Sequence, residues 1–224
     1  MFVYEYTNCK PHRPGSPAFL IFTAFLMFPV KRKEMLYTED KTFDKADFTE
    51  MFLAKGEYEN CRFVNCNFSN SDLSDIKFLD CEFTGCNLSL VKLVKTGFGE
   101  VKFKDCKMLG LRFDTCNKFG FSIQVDNCNL DNSSFYQAKL IKTVFKNAQL
   151  REMDFTESDL TGSVFDNCDL SGTLFENTDI EKADFRTSYN FSIDPNINRV
   201  KKAKFSLYGL PGLLNKYDIE IHSK

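Results

Sequence analysis

The stretch "ESDLTGSVFDNCDLSGTLFENTDIEKADF", residues 157–185, carries a large apolar residue at every fifth position: Leu160, Phe165, Leu170, Phe175, Ile180 and Phe185. Two residues before each stands a small side chain, namely Ser158, Ser163, Cys168, Thr173, Thr178 and Ala183. Between the two stands Asp at four of the six positions, with Val164 and Leu174 at the other two. A period of five matches neither a helix, at about 3.6 residues per turn, nor a flat strand, whose faces alternate every second residue.

Outward from this stretch the spacing holds back to Leu130, and an earlier run extends from Phe43 to Phe113, giving 27 positions with no exception inside either run. Such a chain turns a corner every five residues, with one large and one small side chain inward and the other three outward. Four sides then close a square coil of about 20 residues, and coils stack at the sheet spacing of roughly 4.8 Å. The expected fold is all-β, a quadrilateral β-helix of about seven coils. Residues 20 apart share a wall, so Phe135, Phe155 and Phe175 form one column and Phe145, Phe165 and Phe185 the opposite one. Fifteen of the 25 Phe occupy inward positions, which accounts for a chain rich in Phe that has no Trp.

The repeat, A/C/S/T then D/N then L/F then two variable residues, resembles that of the pentapeptide-repeat family from about Lys41 to Thr187. The resemblance implies a right-handed quadrilateral β-helix. The family's quinolone-resistance branch, the Qnr and MfpA types, implies further that such a rod binds DNA gyrase or topoisomerase IV as a DNA mimic and dimerises through its C-terminal end.

The nine cysteines admit two chemical readings, disulfides or a metal site from C-x4-C pairs such as Cys61/Cys66 and Cys81/Cys86. Eight of them, all but Cys9, fall in the small inward register, where a thiol serves as a small apolar side chain. Packed, reduced thiols predict a cytoplasmic protein. The two histidines, His12 and His222, stand at opposite ends of the sequence, so a site built on paired histidines is not expected. No Gly-rich phosphate loop and no Ser/His/Asp or Cys/His set is present. The expectation is a non-enzymatic protein with no catalytic, metal or cofactor-binding residues, no cofactor, no small-molecule substrate and no direct contact with nucleic acid.

The repeat slips once, near 114–129: Phe113 to Leu130 is 17 residues, and Lys118 falls where a core residue is due. Lys118, Phe119 and Gly120 form either an absorbed insertion or a partner-contacting loop. Residues 38–192 are read as the β-helix. Residues 193–224 are read as a cap that begins where Pro195 stops the last coil, with "GLLNKYDIEI" as a short helix then a strand. Phe205, Leu210, Leu213, Leu214, Tyr217 and Ile219 are the candidate capping and dimer contacts. Residues 1–37 are read as an extension, disordered or preceding a true start at Met35. Its 13-residue apolar run, Ala18 to Val30, falls short of the ~20 that span a bilayer; the alternative is a membrane-associating segment.

Charge is uneven. Residues 38–192 hold 26 acidic and 18 basic side chains, a net −8, while each end segment is +3, restoring the chain's −2. Between 145 and 185 there are ten acidic residues and three basic. Candidate contacts for a topoisomerase groove are Asp154, Asp159, Asp169, Glu176, Asp179, Glu181 and Asp184. The competing reading of the aspartates is local, as corner residues that accept backbone hydrogen bonds. Lys77, Lys92, Lys102, Lys104, Lys107 and Arg112 interrupt any DNA-like surface over the first coils. A structural scaffold or immunity-type module with another protein partner is the alternative function.

Overall fold

The computed structural model describes residues 36–222. The apolar N-terminal run, Met35 and Cys9 lie outside these residues, and with them most of the expected extension. Leu36 and Tyr37 already belong to the first strand of the coil.

Eleven short strands follow in chain order: β1 (Leu36–Glu39), β2 (Thr42–Asp44), β3 (Gly56–Glu59), β4 (Arg62–Val64), β5 (Lys77–Leu79), β6 (Glu82–Thr84), β7 (Gly97–Gly99), β8 (Val101–Lys104), β9 (Ile123–Asp126), β10 (Val144–Lys146) and β11 (Val164–Asp166). All ladders are parallel. One sheet runs β1-β3-β5-β7 and the other β2-β4-β6-β8-β9-β10-β11. Pairing residues are 20 apart over the first coils, as in Phe43 with Phe63 and Phe63 with Phe83. Isolated bridges such as Asn67 with Asn87 and Asp72 with Lys92 build the remaining two walls. We label the wall carrying β2 as A; walls B, C and D follow at five-residue intervals, and β1 lies on D.

The inward columns pack ring on ring. In the C-terminal half Phe155 stacks between Phe135 and Phe175 at 5.6 and 5.5 Å and meets Phe145 and Phe165 edge-on. Rings from opposite walls therefore interlock, and Leu150, Leu160, Leu170 and Ile180 fill the other two walls, all fully buried. Burying each ring contributes roughly 2 to 3 kcal/mol. From Phe43 to Phe185 the chain makes seven turns of this coil, the number the repeat predicts.

The small register does more than leave space. Ser163 Oγ donates to the Leu140 carbonyl at 2.6 Å and Thr178 Oγ1 to that of Phe155 at 2.9 Å. The Cys81, Cys86 and Cys168 thiols do the same to Tyr58, Phe63 and Phe145. Each donor reaches 23 residues back, to the carbonyl of the large residue one coil earlier. A side chain here must be short and must suit a carbonyl neighbour, which explains Ser, Thr and Cys in place of Ala or Gly alone.

Corners explain the scarcity of glycine. The second residue after the large one adopts a left-handed conformation at most corners, and 24 described residues other than Gly have positive φ against five glycines. Fourteen of the 24 are Asn or Asp, whose short polar side chains tolerate this region best.

The slip is a two-residue bulge. Lys102 pairs with Gln124, Lys107 with Asn129 and Arg112 with Ser134, an offset of 22. The extra residues sit between Asn117 and Phe121, so Lys118 turns out to solvent. Phe121 takes the vacated core position, with its ring edge-on to Phe98, Phe113 and Phe135.

The C-terminal reading needs correction. Coil pairing does not stop at Pro195: Asp179 bridges to Arg199 and Asp184 to Lys204. Phe205 stacks on Phe185 at 5.4 Å and so belongs to the wall A column. Pro195 is accommodated because the adjoining residues supply substitutes for the repeat. Asn198, in the small register, accepts the Thr178 amide and donates to the carbonyls of Phe175 and Asp194. The expected helix-then-strand is two 3-10 turns, Leu207–Leu213 and Asn215–Tyr217, with no strand among the described residues after them. The first turn closes over Phe191. A Cβ on Gly212 would stand 2.3 Å from the Phe191 carbonyl oxygen, so only glycine fits.

All eight described cysteines are free and buried, and no disulfide joins them. Burial pushes the thiols of Cys81 and Cys168 up to about 12. The expected outcome of thiol titration at about pH 8 is that these eight remain unmodified in the native protein and react once guanidinium unfolds it. Rapid native labelling of any of them, located by peptide mapping, contradicts the packing described.

Candidate protein-binding surface

The seven predicted carboxylates do not share a wall. Asp154 lies on wall C, bridged to Ser134 and Leu174, with Glu176 two residues beyond Leu174. Asp159 and Asp179 bridge each other on wall D, where Glu181 also stands. Asp169 belongs to wall B, bridged to Gln149 and Tyr189, and Asp184 to wall A, bridged to Val164 and Lys204. Their charge therefore encircles the rod.

Every aspartate in the set also performs a corner function. Asp154 Oδ1 accepts the Thr156 amide at 2.9 Å and Asp159 Oδ1 that of Thr161 at 3.0 Å. The same bond is made by Asp169 to Ser171, Asp179 to Glu181 and Asp184 to Arg186. This is the local reading of the repeat's Asp: the carboxylate stands in for a backbone acceptor at a tight turn.

Three of the seven are paired with cations. Arg199 contacts Asp179 at 3.0 Å and Glu181 at 2.7 Å; Arg186 contacts Asp184 at 2.7 Å, with Lys204 at 3.5 Å. The Arg186 guanidinium holds the Asp184 carboxyl below the ordinary range, and Arg199 does so for Glu181. At the rod's surface such pairs contribute roughly 0 to 1 kcal/mol. Asp154, Asp159, Asp169 and Glu176 make no ion pair among the described residues. They are the part of the set with undiverted charge.

One charged contact was legible in the sequence and overlooked there. Asp131, buried, receives the Arg151 amide and Nε, each at 3.0 Å, on wall B. The two residues are 20 apart, and the coil length alone places them one above the other.

The bulge presents Phe119 at 92% exposure. Its amide is held by Asn117 Oδ1 at 3.0 Å, and Lys118 Nζ reaches the Gln137 carbonyl at 3.5 Å. Gly120, at φ +69°, permits the return to the coil. Of the C-terminal candidates, Phe205 and Leu213 pack against the core, while Leu210, Tyr217 and Ile219 remain exposed and Leu214 is half-buried. Leu207 and Tyr208, outside the predicted set, are more exposed than any of these, Tyr208 at 95%.

Among the described residues no group of His, Cys, Asp and Glu is placed to hold a metal, and no helix is long and apolar enough to cross a membrane.

Comparison with solved structures finds full-length QnrB1, a plasmid-mediated fluoroquinolone resistance protein, at 20% identity. The match covers 83% of this chain and 98% of that one, with a TM-score of 0.44. HetL, a pentapeptide repeat protein involved in heterocyst differentiation regulation from the cyanobacterium Nostoc sp., is 17% identical over 78% of this chain and 86% of its own, with a TM-score of 0.43. No curated protein matches the sequence. The family model for a pentapeptide repeat region matches residues 56–124 and 121–189. With that match spanning more than half of its length and a coil that closes every 20 residues, the chain belongs to the pentapeptide-repeat family.

Proposed function

We propose that the protein is non-enzymatic and acts by binding another protein along the outside of its coil, in a reducing, cytoplasmic setting. Its specific partner on this reading is a type II topoisomerase, DNA gyrase or topoisomerase IV, whose DNA-binding groove takes the acidic C-terminal half as it takes duplex DNA. The observation that carries the reading is the ten-to-three excess of acidic over basic residues between 145 and 185, wrapped around a rigid rod. Attraction of this kind acts through density of charge and does not need one strip. The interior supports the same reading: its columns are filled by rings and aliphatic side chains, leaving the outer surface to carry function. Eight free, buried thiols support the reducing setting. Exposed Leu207, Tyr208, Leu210, Tyr217 and Ile219 support a homodimer contact through the C-terminal segment.

A gyrase supercoiling assay with and without quinolone tests the partner. The expected result is altered supercoiling or drug protection at micromolar protein, weakened when Asp154, Asp159, Asp169 and Glu176 are changed together to Asn or Gln. No effect of the native protein at that concentration overturns the topoisomerase assignment. Capture of a different protein from host lysate by the unmodified rod then favours the scaffold or immunity-type role.

A further inference from the structure

The corner between walls D and A differs from the other three. Read from one end of the rod to the other, its residues are Asp40, Asn60, Asp80 and Glu100, then Ser122 at the level of the bulge, then Lys142, Gly162, Lys182 and Lys202. The backbone stacks them directly. Asp40 donates its amide to Glu59 in the next coil, Asp80 to Gly99, Lys142 to Thr161 and Lys182 to Lys201. The ridge is thus acidic in its first half and basic in its second. Elsewhere the corner position is mostly neutral, as in Asn65, Asn127, Asn147 and Asn167 between walls A and B, or mixed and internally paired, as in Lys55 with Asp75.

Two further features bear on this ridge, both shared by the single charges Lys45, Lys95, Glu152 and Glu157 at other corners, so the sorting of charge by sign is what distinguishes it. Asp40, Asp80, Glu100, Lys142, Lys182 and Lys202 are all exposed, and none makes an ion pair among the described residues. Glu100, Lys142, Lys182 and Lys202 also hold φ of 53 to 60°, where Asn or Gly costs less. The corner keeps long charged side chains against the preference of its own backbone.

The halves are complementary about their midpoint. A second copy laid alongside in the opposite direction, related by a twofold axis at the level of Ser122, sets Glu100 against Lys142 and Asp40 against Lys202, with Asp80 facing Gly162 and Lys182 facing Asn60. Each contact then occurs twice, as an isologous interface requires. A parallel copy in the same register opposes like charges instead. The bulge tip lies beside the axis on wall D, where the Gly120 carbonyl stands 3.7 Å from the place of a Cβ on Gly99. Two exposed Phe119 rings are thereby brought to one level.

We infer that the corner between walls D and A is a self-recognition surface on which two copies associate side by side and antiparallel. This contact is electrostatic and separate from the apolar C-terminal segment, and it does not depend on the proposed topoisomerase partner.

Sedimentation velocity of the full chain tests it at two salt concentrations, about 10 mM, where the Debye length is roughly 30 Å, and about 1 M, where it is roughly 3 Å. The expected result is a doubling of mass at low salt relative to high salt. An apolar C-terminal contact persists in salt and does not produce this step. Lys142→Glu/Lys182→Glu/Lys202→Glu and Asp40→Lys/Asp80→Lys/Glu100→Lys each abolish the step, and mixing the two restores it, since one ridge is then wholly acidic and the other wholly basic. Lys142→Glu alone, a single exposed change, weakens association about tenfold. A native mass that does not respond to salt overturns the inference. So does a salt-dependent step that survives in both charge-reversed proteins, or a mixture of natively folded variants that fails to restore it.

Discussion

Phe63→Ala is expected to lower the free energy of unfolding by about 3 to 5 kcal/mol, among the largest losses a single side chain of this protein can produce. The Phe63 ring is fully buried. It stacks on Phe43 at 4.8 Å and on Phe83 at 4.6 Å, and it meets Phe48, Tyr58, Phe68 and Phe78 edge-on. Truncation removes six ring contacts at once. The walls cannot collapse into the space, because β4 is held between β2 and β6 by parallel ladders through Phe63 itself. Because each coil contacts only its neighbours, the damage is local and the unfolding transition broadens as well as shifting. Guanidinium denaturation followed by circular dichroism measures both effects. Phe52→Ala, at a position 81% exposed on wall C, is the control and changes stability by no more than about 0.5 kcal/mol. Equal losses in the two variants contradict the assigned columns.

The second large effect is expected at Asn198→Ala, which lowers stability by about 2 to 4 kcal/mol through unmet hydrogen bonds with almost no change in apolar burial. Asn198 is 7% exposed. Its Oδ1 accepts the Thr178 amide at 2.8 Å, and its Nδ2 donates to the carbonyls of Phe175 at 2.8 Å and Asp194 at 2.9 Å. Alanine leaves the buried Thr178 amide and the Phe175 carbonyl without partners, while the Asp194 carbonyl keeps the Ile197 amide at 3.4 Å. Thermal unfolding gives the magnitude, and native-state hydrogen exchange at the Thr178 amide gives the location, with protection lost there first. A variant within about 0.5 kcal/mol of the parent shows that the final coil does not depend on this side chain.

These two residues mark how far the sequence could be read. Phe63 is visible at once: it belongs to an unbroken run of fifths, and every inward residue repeats the same local demand. Asn198 is not. It occupies the small register, but it is neither small nor flanked by an aromatic large residue, so counting by fives ends the coil at Pro195 although it continues to Phe205. Phe121 escaped notice for the same reason, since a two-residue bulge moves the core position from Lys118 to a residue off the count. Period counting detects identical solutions to one steric problem. It fails where a different side chain solves that problem by other contacts.

The candidate surface was less legible still. The aspartates are repeat residues, and their backbone hydrogen bonds follow from the repeat. The diversion of Asp179 and Glu181 to Arg199 and of Asp184 to Lys204 depends on side chains of the next coil, while Arg186 meets Asp184 from two residues away.

By itself the sequence determined the coil, because a large and a small inward residue in every five impose a corner wherever they occur, and that demand is met within each repeat. Coil length places Asp131 under Arg151, but only the tertiary structure decided which of the other charges pair and which stay free. Residues 20 apart become neighbours when coils stack, and the bulge changes that interval to 22 between Glu100 and Ser122. The acidic and basic halves of the ridge between walls D and A, far apart along the chain, lie on one line for that reason.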